Sequence, residues 1–91
     1  MTKAELINEI AIATGYDKTT ISTIVESYMS SVKKSLIEGE NVYLRGFGTF
    51  LTKTRKAKIA RNIGASSSLP VPAHRIAAFK PAKELAKDVR A

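Results

Sequence analysis

Five bases, Lys53, Arg55, Lys56, Lys58 and Arg61, fall within nine residues, and no acid stands among them. A sixth, Arg75, follows after a polar stretch. The chemistry open to such a set is charge neutralisation. Each phosphate that a lysine or arginine neutralises releases condensed counterion, and this drives binding that does not depend on base sequence. On an extended strand, alternation places Lys53, Arg55 and Arg61 on one face and Lys56 and Lys58 on the other. Charge on both faces suits a ribbon lying along or within a groove, and guanidinium suits a narrow, electronegative minor groove. Beside Arg61 stand Asn62 and the apolar Ile63. An apolar side chain delivered by a basic arm can wedge between base steps. It can also pack across its own hairpin on Leu69, and the residues alone leave both readings open.

The rest of the 91-residue chain sharpens this picture. The net charge is +7, distributed unevenly. From Asn41 to Lys83 there are nine bases, including Lys80 and Lys83, and no acid; the remainder holds six bases and all eight acids. A near-neutral part joined to a basic part points to a polyanionic partner. There is no cysteine, which removes disulfides and thiolate metal sites. Glu5 with Glu9, and Glu84 with Asp88, are carboxylate pairs at helical spacing that read as solvated-face charges. His74 has no acid in its stretch and reads as a ribbon residue able to meet phosphate when protonated. Ser66 to Ser68 have no base beside them to make a nucleophile. We therefore expect no enzyme, cofactor or metal. No apolar run approaches the ~18 residues of a membrane span, and the N-terminus lacks a signal-peptide pattern. The expectation is a soluble, intracellular protein.

Three kinds of element must position these bases. Residues 1–40 read as two helices. Thr2 and Glu5 form a capping box and Gly15 stops the first helix. Asp17 caps the second, and Gly39 ends it. On the second helix Ile21, Ile24, Val25, Tyr28, Met29, Val32 and Leu36 form a stripe wider than one short helix covers, which calls for a partner subunit. Residues 41–80 change character. Val42 and Leu44 alternate with Tyr43 and Arg45, and Gly46-Phe47-Gly48 marks a tight turn. The following strand pairs back and runs on into the basic segment. "LPVPAHRIAAF" (69–79) returns, with Pro70 and Pro72 on one edge, as a strand with a free edge tolerates. The result is a β-hairpin arm, about 55–75, whose first strand reaches roughly 30 Å from Arg55 to Gly64 at ~3.3 Å per residue. Phe47, Phe50 and Phe79 suit core packing better than a platform for stacking bases. Residues 81–91 form a last helix with Pro81 at its start and Leu85 and Val89 on its inner face.

The ordered set "GFGTF" (46–50), Arg55, "RN" (61–62) and "FKPAKEL" (79–85) resembles the HU/integration host factor family of bacterial DNA-bending proteins, and the resemblance covers almost the whole chain. It implies an α+β fold built as an intertwined homodimer. A helical body carries a β-sheet saddle and two protruding hairpin arms that embrace DNA from the minor-groove side. By the same resemblance Arg55, Lys58 and Arg61 match arm residues facing backbone and groove, and Asn62 matches a tip residue. Lys3, Lys18 and Lys83 match body cations that hold flanking DNA, and Gly46 and Gly48 match the turn beneath the arms. The tip departs from the family. Its usual Arg-Asn-Pro, whose proline wedges into DNA, is here Arg61-Asn62-Ile63, and isoleucine lacks the rigid ring.

The sequence thus leads to one domain, residues 1–91, that binds, bends and compacts double-stranded DNA with little sequence preference in a bacterial nucleoid. Bent, nicked or distorted DNA is preferred. The DNA-binding set is Lys3, Lys18, Lys53, Arg55, Lys56, Lys58, Arg61, Asn62, Ile63, Arg75, Lys80 and Lys83. The core and dimer set is the helical stripe with Leu44, Phe47, Phe50 and Phe79. A heterodimer with a paralogue, a sequence-preferring relative of integration host factor, a basic RNA-binding module and a grip on an acidic protein stay open as alternatives.

Overall fold

The structure, a computed structural model of the chain, describes residues 1–61 and 68–90; for 58–61 and 68–71 it describes the course of the backbone. Along the chain lie α1 (Lys3–Thr14), α2 (Lys18–Ile37), β1 (Val42–Leu44), β2 (Gly48–Arg55), β3 (Lys58–Arg61), β4 (Ser68–Val71), β5 (His74–Pro81) and α3 (Lys83–Arg90). This is the expected α+β class. The chain forms two compact units, Met1–Lys34 and Ser35–Ala91. Among the described residues no helix is long and apolar enough to cross a membrane.

The first unit shows why its helices start where they do. Thr2 is the N-cap of α1, and its Oγ1 accepts the Glu5 N–H at 3.2 Å. The Thr2 hydroxyl in turn donates to Glu5 Oε1 at 3.3 Å. The Glu5 carboxylate thus closes its side of the cap through the hydroxyl. Gly15 takes the left-handed conformation, φ +80°, and its N–H bonds the Ala11 carbonyl at 2.9 Å. Asp17 caps α2. Its two carboxylate oxygens accept from the Thr20 N–H and the Thr20 hydroxyl, each at 3.1 Å. These bonds, the hydroxyl's first, hold the Asp17 carboxyl below its ordinary value, because they favour the ionised form. Each helix contributes one buried apolar side chain, Ile7 and Ile21. No other described apolar side chain in the chain is buried. That is a thin core, even allowing that small chains bury little.

The second unit is built on a three-stranded antiparallel sheet in the order β1-β2-β5, with β3 and β4 forming a two-stranded sheet. Arg45 to Phe47 connect β1 to β2. The Phe47 N–H closes the turn on the Leu44 carbonyl at 3.0 Å, with Gly46 at φ +78°, a conformation cheap only for glycine. β1 reaches only the Val42↔Phe50 pair. From Leu51 outward β2 and β5 are a ribbon of two strands. The ribbon is not the single run expected. It breaks after Arg55↔His74 and resumes at Lys58↔Val71, so each strand loses two residues and the register carries across unshifted. Pro72 lies in the break and has no N–H to give a ladder. Pro70 sits in β4 opposite Ile59, in a sheet where both strands have a free edge. Near the chain's end, α3 is tied to the β1–β2 turn by the Ala82 N–H on the Phe47 carbonyl at 2.9 Å. Of its expected inner face Leu85 is half-buried, but Val89 is exposed.

Candidate nucleic-acid interface

Register and alternation sort the sheet into two faces. Residues directly opposite one another share a face, and neighbours along a strand do not. One face carries Val42, Leu44, Phe50, Thr52 and Thr54 with their partners Phe79, Ala77 and Arg75. Phe79 packs at 5.0 Å from Phe50 and 5.4 Å from Phe47, centroid to centroid, with rings tilted by 51° and 52°. Such tilted packing suits ring quadrupoles. The three phenylalanines form one cluster. Gly48 makes that cluster possible. A Cβ there would stand 2.4 Å from Phe79 Cζ and 2.7 Å from the Lys80 carbonyl oxygen.

The other face carries Lys53 opposite Ile76, Arg55 opposite His74, and Lys80 opposite Thr49, which in turn pairs with Tyr43. Lys53, Arg55, Lys80, His74 and Tyr43 are all exposed. Leu51, Ile76 and Ala78 lie between them, half-buried. This row of cations leads along the ribbon toward β3, where Lys58 and Arg61 hold positions in register with Val71 and Ser68. Lys56 is exposed in the break, outside either ladder, so the alternation expected from Arg55 to Lys58 is interrupted there. At the other end of the row Arg45, Lys80 and Lys83 line an open groove with Tyr43 and Thr49, beside the start of α3. No carboxylate occurs between Asn41 and Lys83. The one ion pair among the described residues is Lys3 with Glu26, in the first unit.

Two cations of the expected set are engaged within the protein. Lys3 pairs with Glu26 across 23 residues of sequence. The Arg75 guanidinium donates to the Ile37 carbonyl at the end of α2, at 3.0 Å. Lys18 is exposed at the first position of α2. Asn62 and Ile63 lie outside the described residues. Sequence reasoning passed over Arg45 and Tyr43 as site residues. Tyr43 could have been placed from strand alternation, once the turn at Gly46 fixed which residues of β1 and β2 face each other.

The expected interface stripe is only partly covered. Ile21 is buried, and Val25, Val32 and Leu36 are half-buried; Tyr28 is 46% exposed, Met29 41% and Ile24 more than either. Leu44 and Phe50 are half-buried, while Phe47 and Phe79 keep 49% and 39% of their surface open.

Residues 1–90 match the family model described as bacterial DNA-binding protein. The chain is 37% identical to the DNA-binding protein HU of Thermus thermophilus over 90 residues, covering 99% of this chain and 93% of that one. It is 31% identical to the integration host factor subunit alpha of an Anaeromyxobacter species, covering 93% of this chain and 86% of that one. Among solved structures it superposes on HU from a cocrystal of Anabaena HU with DNA at a TM-score of 0.92, with 28% identity and 98% and 97% coverage of the two chains. HU from Thermotoga maritima gives 0.70 at 26% identity, with 98% of each chain covered.

Proposed function

We propose, from the premise that the chain belongs to the bacterial DNA-binding protein family of HU and integration host factor, that it is an architectural DNA-binding protein of the nucleoid. It binds duplex DNA through phosphates, bends it and helps compact it, and it catalyses no reaction. The observation that carries this reading is the row Lys80, Lys53 and Arg55 on one sheet face, in a stretch free of acid. The superposition on an HU chain crystallised with DNA supports it. Each of these cations can release counterion from a phosphate, so affinity falls steeply with salt. The reading favours HU-like, sequence-tolerant binding over the integration-host-factor alternative, since the chain is 37% identical to an HU and 31% identical to an integration host factor subunit.

The working unit is a dimer. Tyr28, Met29 and Ile24 lie open on α2, and Phe47 and Phe79 lie open in the second unit. Large apolar side chains left in water at this density mark an association surface. A second copy of this chain covers them most simply, with a paralogue as the alternative. The family resemblance supports Lys18, Lys83 and, once released from Glu26, Lys3 as body cations that hold flanking DNA, with Asn62 as the expected tip residue and Ile63 as the candidate wedge.

Competition binding tests the class of partner. A DNA duplex and an RNA duplex of equal length, titrated at several salt concentrations, should separate in favour of DNA, with log affinity falling linearly on log salt. Equal or tighter binding to RNA would replace this reading with an RNA-binding module. Negligible binding to both at low salt would direct attention to an acidic protein partner.

A further inference from the structure

We propose that Arg75 is a positioning residue that locks the end of α2 to β5 of the ribbon, and that it is not among the cations that meet phosphate. The proposal rests on the DNA-binding reading above. Its ground is an accounting of carbonyl groups. A helix leaves its last four carbonyls without helical partners. At the end of α2 the Glu40 N–H bonds the Ser35 carbonyl at 2.9 Å and the Gly39 N–H bonds the Leu36 carbonyl at 3.0 Å. With Gly39 at φ +82°, this is the Schellman arrangement. It leaves the carbonyls of Ile37 and Glu38, and Arg75 Nη2 donates to that of Ile37 at 3.0 Å. A cation at a helix C-terminus also meets the negative end of the helix dipole.

Two further observations agree. A Cβ on Gly39 would come within 3.2 Å of Arg75 Nη1, so the guanidinium lies close against a backbone that glycine leaves open. In the ladder Arg75 stands opposite Thr54. Alternation puts it on the face of Phe50 and Phe79, away from the face of Lys53, Arg55 and Lys80. Arg75 also sits one residue from His74, the last paired residue of β5 before the break. It therefore anchors the ribbon close to where the continuous ladder ends.

The test uses the full chain with Arg75→Ala, Arg75→Lys and, for comparison, Arg55→Ala. Each is titrated into one DNA duplex at several salt concentrations and melted without DNA. Arg55→Ala removes one contact from each protomer and should flatten the slope of log affinity on log salt by about 1.8 per dimer, at about 0.9 for each phosphate contact. Arg75→Ala should leave the slope unchanged, lower the thermal midpoint and speed hydrogen exchange of the Gly39 and Glu40 amides. Arg75→Lys should recover part of the midpoint. In the wild type, the Arg75 side-chain N–H resonances should hold still on adding DNA while those of Arg55 move. This measurement decides the matter if Arg75→Ala does not fold. A slope flattened by Arg75→Ala with an unmoved midpoint, or Arg75 resonances that follow DNA as those of Arg55 do, would overturn the proposal. A wild type that binds no DNA would sink the DNA reading instead, and the midpoint and amide exchange would still decide the role of Arg75.

Discussion

Gly48 is the residue on which most of the second unit's packing turns. The Phe79 ring and the Lys80 carbonyl both occupy the space where a side chain would begin. The ring can swing, but the carbonyl belongs to the ladder and cannot. Gly48→Ala should therefore destabilise the fold by about 1–3 kcal/mol, the usual cost of forced overpacking. A chemical-denaturation midpoint equal to that of the wild type would show that the cluster yields instead. Asp17 gives a second expectation at this scale. Its folded pKa lies below its ordinary value of 3.8 because Thr20 donates two hydrogen bonds to the carboxylate. A depressed carboxylate stabilises the fold above its unfolded pKa, and that contribution is lost as pH falls through the folded pKa. Asp17→Asn keeps a capping side chain but cannot ionise. The wild type should melt above this variant at neutral pH and converge on it in acid below about pH 4. A gap that persists unchanged into strong acid would refute the assignment.

At the scale of elements, local signals were legible. Thr2, Gly15, Asp17 and Gly39 punctuate the helices as their types predict, since caps depend on neighbours within a turn. The turn at Gly46 was legible for the same reason. What could not be read depends on residues distant in the chain. Nothing near Arg75 announces the Ile37 carbonyl, 38 residues away, and nothing near Lys3 announces Glu26. The break in the ribbon falls between these cases. Pro72 was visible, but its effect on Ala57 across the ladder required the register. The open outcome at this scale is the arm. A two-stranded sheet has little stability of its own, so DNA should order it, and Ile63 is the residue proposed to exploit that. Ile63→Ala should reduce the DNA bend more than the affinity, as read by energy transfer between labelled duplex ends. Equal bend angles for the two proteins would dispose of the wedge.

At the scale of the molecule, the described chain buries two apolar side chains and leaves its largest ones open. Its stability must come substantially from association, as in other small domains without disulfides or metals. Tyr28→Asp places a charge on the open stripe of α2 and should dissociate the dimer or unfold it. An unchanged sedimentation coefficient together with an unchanged helix signal would contradict that interface. Charge asymmetry made a polyanionic partner legible and the apolar stripe a partner subunit, while DNA as the polyanion came from the family resemblance. Which cations face DNA was less so, because facing is a property of register and not of composition.

The central claim is that this protein bends DNA and does more than coat it with charge. The most direct measurement compares its affinity for straight and nicked duplexes of equal length and sequence at one salt concentration. A nick lowers the cost of deformation while leaving the phosphate charge nearly the same. Clear preference for the nicked duplex, with its labelled ends drawn together, is the predicted result. Equal affinity for the two, with ends that stay apart, would contradict the bending account and leave only electrostatic coating.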